Sequence, residues 1–175
     1  MNIIDPRDVK KEDLPRIVLV QDVYSFFGFG IRVFSKGSYN HVMMQYDPDY
    51  VASQNTLFHS APIENYMKPN IKMKFFGFSQ ITSGQRQLMF EEIQRDLKKP
   101  WYKRTYDPVG ILGHILRIPN TLEIPFMNYC TEKEIKYIRY GGYGPPAHPS
   151  VKELNMWLVT FPEEFSRDGY YVVED

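Results

Sequence analysis

Residues 16–22 read RIVLVQD, residues 39–46 read YNHVMMQY and residues 130–139 read CTEKEIKYIR. The first stretch is short and rich in β-branched residues with polar ends, the mark of a buried strand. The second is a strand interrupted by Asp47, Pro48 and Asp49. The third reads as a helix over Cys130 to Arg139, with Glu132 and Glu134 in its first turn. Strands come first along the chain and helices after, so the class is α+β: a small antiparallel sheet or barrel packed against helices.

The elements between these stretches follow from local signals. Residues 1–15 form an irregular lead-in. Val23 to Phe34 reads as a short helix weakened by Gly28 and Gly30, and Lys36, Gly37 and Ser38 mark a turn. Asn55 to Ser60 (NTLFHS) reads as the second strand of an antiparallel hairpin with Tyr39 to Tyr46, joined by a longish loop. Ile63 to Met67 can form a helical turn. Ile71 to Ser79 sets Ile71, Met73 and Phe75 against Lys72 and Lys74, the alternation of a half-buried strand. Thr82 with Gln85 is a capping box; Met89, Phe90, Ile93 and Leu97 follow at helical spacing, with Glu91 four residues before Arg95 on the wet side. Pro100 stops that helix. Asp107-Pro108 opens another, running to about Ile118. Asn128 caps a helix over Cys130 to Arg139, with Glu132 and Glu134 in its first turn. Tyr140 to Pro149 is a loop, Ser150 caps a helix from Val151 to Leu158, and Tyr170 to Glu174 forms a terminal strand.

Composition narrows the class of function. The chain has 175 residues and a mass of 20.7 kDa, which suits one domain over 1–175. Lys and Arg total 21, as do Asp and Glu. A net charge of zero argues against gripping nucleic acid or an anionic membrane, and leaves self-association open. No secretory signal and no apolar run long enough to span a bilayer is visible. Cys130 is the one cysteine, so an internal disulfide is excluded and a reducing, cytoplasmic setting is expected.

The chemistry centres on that thiol. A thiolate at a helix start is stabilised by partial positive charge and free backbone N–H groups, which can also hold an oxyanion. A thiol nucleophile needs a base. His41 and His59 lie on successive predicted strands; in a hairpin they can share a face, one taking the proton and the other orienting it. His114 sits in an apolar helical pattern and His148 between prolines, so both read as structural. No C-x-x-C or H-x-x-x-H spacing suggests zinc, and no glycine-rich phosphate motif suggests a nucleotide, so no cofactor is expected. Lys98, Lys99, Lys103 and Arg104, with Trp101, Tyr102 and Tyr106, read as a solvated helix end with aromatic anchors rather than a nucleic-acid patch.

The order of these motifs resembles a known family. RIVLVQD is followed by an apolar segment, Ser38-Tyr39-Asn40-His41-Val42, Leu57-Phe58-His59-Ser60-Ala61, a helix, Tyr106-Asp107, and then Asn128-Tyr129-Cys130-Thr131-Glu132. Over about residues 16–165 this resembles the circularly permuted papain-like fold of the NlpC-type superfamily. The YiiX-like branch is nearest in look, and lecithin–retinol acyltransferase-like enzymes are cousins. Asn40 departs from the Ser/Thr that precedes the histidine in the family, while Cys130-Thr131-Glu132 matches its Cys-Ser-Glu start. The resemblance implies a cysteine hydrolase with Cys130 as nucleophile, His41 as base and His59 at the third polar position. It acts through a thioester on cell-wall peptides, other amides or lipid esters. With no export signal, a cell-wall substrate would call for lysis by a phage or virus-encoded element, or another export route. Two other readings share the fold: a lipid-directed acyltransferase or esterase with Phe26, Phe27 and Phe29 as an insertion surface, and a catalytically silent binding or structural member.

Overall fold

The computed structural model describes residues 3–22, 38–54, 57–105 and 130–172; at Asp22 and Cys130 it describes the backbone. The readings of Val23 to Phe34, Lys36 and Gly37, Tyr106, Asp107 to Ile118 with His114, and the Asn128 cap lie outside the described residues.

The described elements are six strands and three α-helices: β1 (Arg16–Asp22), β2 (His41–Asp47), β3 (Tyr50–Gln54), β4 (Phe58–Pro62), β5 (Ile71–Phe78), α1 (Ser83–Leu97), α2 (Cys130–Tyr140), α3 (Val151–Thr160) and β6 (Phe165–Val172). The strands form one antiparallel sheet in the order β4-β3-β2-β1-β5-β6. The α+β class expected from the order of elements is observed. β1 spans the seven residues expected of it.

Two sequence readings need correction. Tyr39–Tyr46 and Asn55–Ser60 were expected to pair as a hairpin, but β3 lies between β2 and β4. Asp47 pairs with Tyr50, so Pro48 and Asp49 make a tight turn and Val51 to Gln54 run straight back along β2. These four residues are buried on both faces, which erases the alternation by which a strand is recognised. Lys74, expected on a wet face, is buried; its Nζ donates to Asn155 Oδ1 at 2.9 Å and lies 4.6 Å from the centre of the Phe76 ring. Burial pushes its ammonium down to about 8.

The sheet is covered on both sides. Ile17, Leu19, Val42, Met44, Ala52, Phe58, Phe76 and Phe78 point to one face, closed by Met89 and Ile93 of α1, Tyr137 and Ile138 of α2, and Leu154 and Leu158 of α3. Val18, Val20, Met43, Val51, Met73 and Phe75 point to the other, against Ala61, Ile63, Tyr66, Met67 and Ile4. The lead-in is tied to this second face: Arg16 is buried, donates to Gln45 Oε1 at 2.7 Å and to the Pro6 carbonyl at 2.9 Å, and stacks on Phe75.

The helix ends carry the expected signals. Thr82 and Gln85 close a capping box on α1, and Ser150 and Glu153 close another on α3. After α2 the Gly142 N–H bonds the Arg139 carbonyl and the Tyr143 N–H bonds that of Ile138. Gly142 has φ +87°, the left-handed conformation this stop requires. A Cβ there would also meet the side chain of Gln85, so two constraints converge on glycine.

Helices α1 and α2 are joined by a buried ionic cluster. Asp96 is fully buried; Lys99 reaches its Oδ1 at 2.5 Å, while Lys136, the Tyr137 hydroxyl and Lys133 reach Oδ2 at 2.9, 3.0 and 3.3 Å. Glu92 takes Lys136 at 2.5 Å and also pairs with Arg95. Burial alone would raise the Asp96 pKa, but the three lysines more than offset it and hold the carboxyl well below the usual range. The stability this carboxylate contributes is therefore present above the ordinary carboxylate range and lost as acid protonates it in the folded state. Asp96→Ala, which leaves the buried Lys133 without its anion, should destabilise by about 3–5 kcal/mol in urea unfolding at neutral pH. Lys103→Ala on the exposed surface should change stability by no more than about 0.5 kcal/mol.

Candidate functional site

His41 opens β2 beside Val20 of β1. Alternation along β2 puts His41 on the face that carries Met43, and there its Nε2 meets Ser53 Oγ at 2.9 Å. Ser53 is fully buried and its Oγ also accepts the Tyr66 hydroxyl at 2.9 Å. A hydroxyl oxygen has two lone pairs, so Ser53 can take both Tyr66 O–H and a His41 N–H. The imidazole is thus clamped at one nitrogen by a residue that is itself clamped. That is the arrangement needed to hold a base in one orientation and to stabilise its protonated form.

His59 stands opposite Ser53 in the β3–β4 register. Its Nδ1–H bonds the Leu57 carbonyl at 2.7 Å, which fixes its tautomer. His41 and His59 therefore share a face with Ser53 between them, and it is Ser53 that meets the His41 ring. Neither Ser53 nor Tyr66 was singled out by the sequence. The signal was available in Asp47-Pro48-Asp49: read as a tight turn, it sends the following residues back along β2 with Ser53 beside Met43.

Helix α2 runs Cys130–Tyr140 with Glu132 in its first turn; the Asn128 cap expected before it lies outside the described residues. The direction of α2 over the sheet is fixed by its contacts. Lys133 Nζ lies 5.4 Å from the centre of the Phe58 ring and the Tyr137 ring 6.1 Å from it. Tyr143, just past the helix, packs on Phe78 and Phe165. Phe78 lies at the end of β5 that runs alongside the start of β1, whereas His41 pairs with Val20 near the far end of β1. α2 therefore starts at the end of the sheet where His41 begins β2. Its later turns pack on the face of Val42 and Met44, opposite the face of the His41 ring.

The α2–sheet layer holds a second set of polar groups. Thr131, Lys133 and Glu134 are buried, as is Gln54, the register partner of Phe58. Among the described residues, Gln54 Oε1, Thr131 Oγ1 and both Glu134 carboxyl oxygens have no hydrogen-bond partner. Burial pushes the Glu134 carboxyl well above its usual range; Lys133 opposes this and Asp96 adds to it. Sequence reading placed Glu134 in the first turn as a helix-dipole carboxylate, but the structure puts it inside.

His148 is exposed, with Nδ1 3.5 Å from Glu132 Oε1, beside a surface cavity of about 280 Å³. A larger cavity, about 570 Å³, lies under the lead-in among Asp5, Asp8, Asp13, Arg16 and Asp168. Trp101 and Tyr102, expected as aromatic anchors, are 67% and 55% exposed. Among the described residues no group of three or more His, Cys, Asp and Glu is placed to hold a metal, and no helix is long and apolar enough to cross a membrane.

No family model and no curated protein matches the chain, so the chemistry rests on these residues alone. The Glu134 carboxyl supplies a check on the site's electrostatics. An acid whose folded pKa is raised binds its proton more tightly in the folded state, so its contribution to stability is greatest in acid and declines as pH rises past the unfolded value of 4.5. Glu134→Gln does not titrate. Its urea midpoint should exceed that of the native chain at pH 7, and the gap should shrink steadily toward pH 4.

Proposed function

We propose that the protein is a thiol-dependent acyl hydrolase of the permuted papain-like, NlpC-type kind, with Cys130 as nucleophile and His41 as general acid–base. The observation that carries this reading is positional: the Cys130 end of the described helix α2 lies toward the end of the sheet where His41, clamped through Nε2 by Ser53, opens β2. His41 is the first residue of its strand, so its ring sits at the starting end of β2. There a group arriving from the helical layer can reach round to a ring on the opposite face.

The chemistry follows from those parts. With Nε2 held by Ser53, Nδ1 is the nitrogen that takes the Cys130 proton. The thiolate, favoured by the helix N-terminus, attacks an amide or ester carbonyl carbon. The oxyanion is held by the Cys130 backbone N–H. The imidazolium gives its proton to the departing amine or alcohol, leaving a thioester on Cys130. Water then attacks the thioester while His41 accepts its proton; the carboxylic acid leaves and the thiol is restored. Ser53 acts on the ring and not on the substrate: it keeps Nδ1 directed and stabilises the charge the ring acquires. His59 lines the same face beside Ser53. Peptide amides and lipid esters are the two substrate classes this chemistry takes.

A thiol-directed probe tests this at pH 7. The native chain should label at Cys130, and His41→Ala should slow labelling by on the order of 10²-fold while retaining its far-UV spectrum. Ser53→Ala should slow labelling less than His41→Ala does, because it loosens the base without removing it. Equal labelling of a folded His41→Ala protein would exclude the thiolate–imidazole pair.

A further inference from the structure

The end of α1 runs into RDLKKPWYKR, residues 95–104, which hold five cations and one carboxylate. The zero net charge of the whole chain therefore hides a local excess. Asp96, the carboxylate, is fully buried and takes Lys99, while Arg95 pairs with Glu92. Lys98 and Lys103 are exposed, and among the described residues neither has an acidic partner. Between them a short 3₁₀ turn carries Trp101 and Tyr102, the two most exposed large aromatic side chains among the described residues. Lys103 Nζ lies 6.0 Å from the centre of the Tyr102 ring.

This exposure is held in place. The Arg104 carbonyl accepts the Phe58 N–H at 2.7 Å and a Gln54 Nε2–H at 3.0 Å, and the Arg104 guanidinium donates back to the Phe58 carbonyl at 3.1 Å. The Lys103 and Arg104 N–H groups bond the Pro100 and Trp101 carbonyls, which closes the turn. Indole and phenol are thus presented to water on a turn fastened to the start of β4, next to His59. Rings left in water forfeit the free energy of burial, which a partner surface restores.

The chemistry of the patch selects the partner. Trp and Tyr each join an apolar ring to a hydrogen-bonding N–H or O–H, which suits the boundary between acyl chains and head groups. Lysines beside them suit anionic head groups, with their stems along apolar surface. A peptide side chain needs a socket, and neither ring lines either of the cavities described above. Successive nucleic-acid bases need parallel faces to stack on, and these rings stand at 88° with centres 6.1 Å apart. A bilayer needs neither. We propose that Lys98, Trp101, Tyr102 and Lys103 form a docking surface for an anionic lipid bilayer, with the rings seated at head-group level and the ammonium groups against lipid phosphates. The proposal is independent of the chemistry at Cys130.

The chain has two tryptophans, and the Trp157 ring packs 4.8 Å from that of Phe165. Trp157→Phe therefore leaves Trp101 as the only indole. Phosphatidylglycerol vesicles should shift its emission to the blue, phosphatidylcholine vesicles should bind far more weakly, and added salt should reverse the shift. Lys98→Gln combined with Lys103→Gln should weaken binding on the order of tenfold while retaining the native far-UV spectrum. Should Trp157→Phe fail to fold, the difference between the native chain and Trp101→Phe reports the same indole. Trp101 emission that no concentration of phosphatidylglycerol vesicles moves overturns the proposal, as does binding left at full strength in the double lysine variant. An oligothymidylate that shifts Trp101 emission where the vesicles do not would overturn it in favour of nucleic acid.

Discussion

The position of α2 depends on Asp96. This carboxylate is sealed between two helices and is tolerable there because three lysines and a tyrosine hydroxyl surround it. Two of those lysines and the tyrosine come from α2, so the cluster fixes both the rotation of α2 and its height above the sheet. Rotation decides which residues meet the sheet: with Tyr137 turned toward Asp96 and Phe58, Ile138 lies on the core and Glu134 is carried inside. Height decides where the helix begins, and that is the end of the sheet at which His41 starts β2. Ion pairing in the interior contributes little net stability by itself, but breaking it is costly, and here it sets a geometry that apolar packing alone would leave loose.

The sheet imposes the complementary constraint. Its central strands are buried on both faces, so every side chain there belongs to one layer or the other with no neutral ground. His41, Ser53 and His59 fall in one layer and the body of α2 in the other. The acyl transfer we propose would then be chemistry at a boundary, between a helix on one face and a clamped imidazole on the other. Around them lie groups whose polarity the interior does not satisfy, above all Glu134 and Gln54, as is common where a chain keeps function at the expense of stability.

How much of this was legible depended on whether a signal was local. β1, the Thr82–Gln85 capping box and the Ser150 cap were read correctly because each is written in a few adjacent residues. β3 was missed because Val51 to Gln54 are buried on both sides and show no period of two. That one omission hid Ser53 and led to a direct pairing of the two histidine strands. Lys74 was misplaced for a related reason: strand alternation gave its face correctly, but not that α3 would cover that face and supply Asn155 as partner. Trp101 and Tyr102, read as aromatic anchors on a solvated helix end, are the most exposed part of that run, because residue type alone does not say what an aromatic packs against.

The central claim is that the Cys130 sulfur and the His41 ring meet and share a proton. NMR titration of the His41 imidazole in the native chain and in Cys130→Ser tests this without any substrate. A thiolate–imidazolium pair titrates as a unit, so removing the thiolate should lower the His41 midpoint by more than about one pH unit. A His41 midpoint unchanged by Cys130→Ser would mean that the two groups do not meet, and that the clamped histidine serves some purpose other than thiol catalysis.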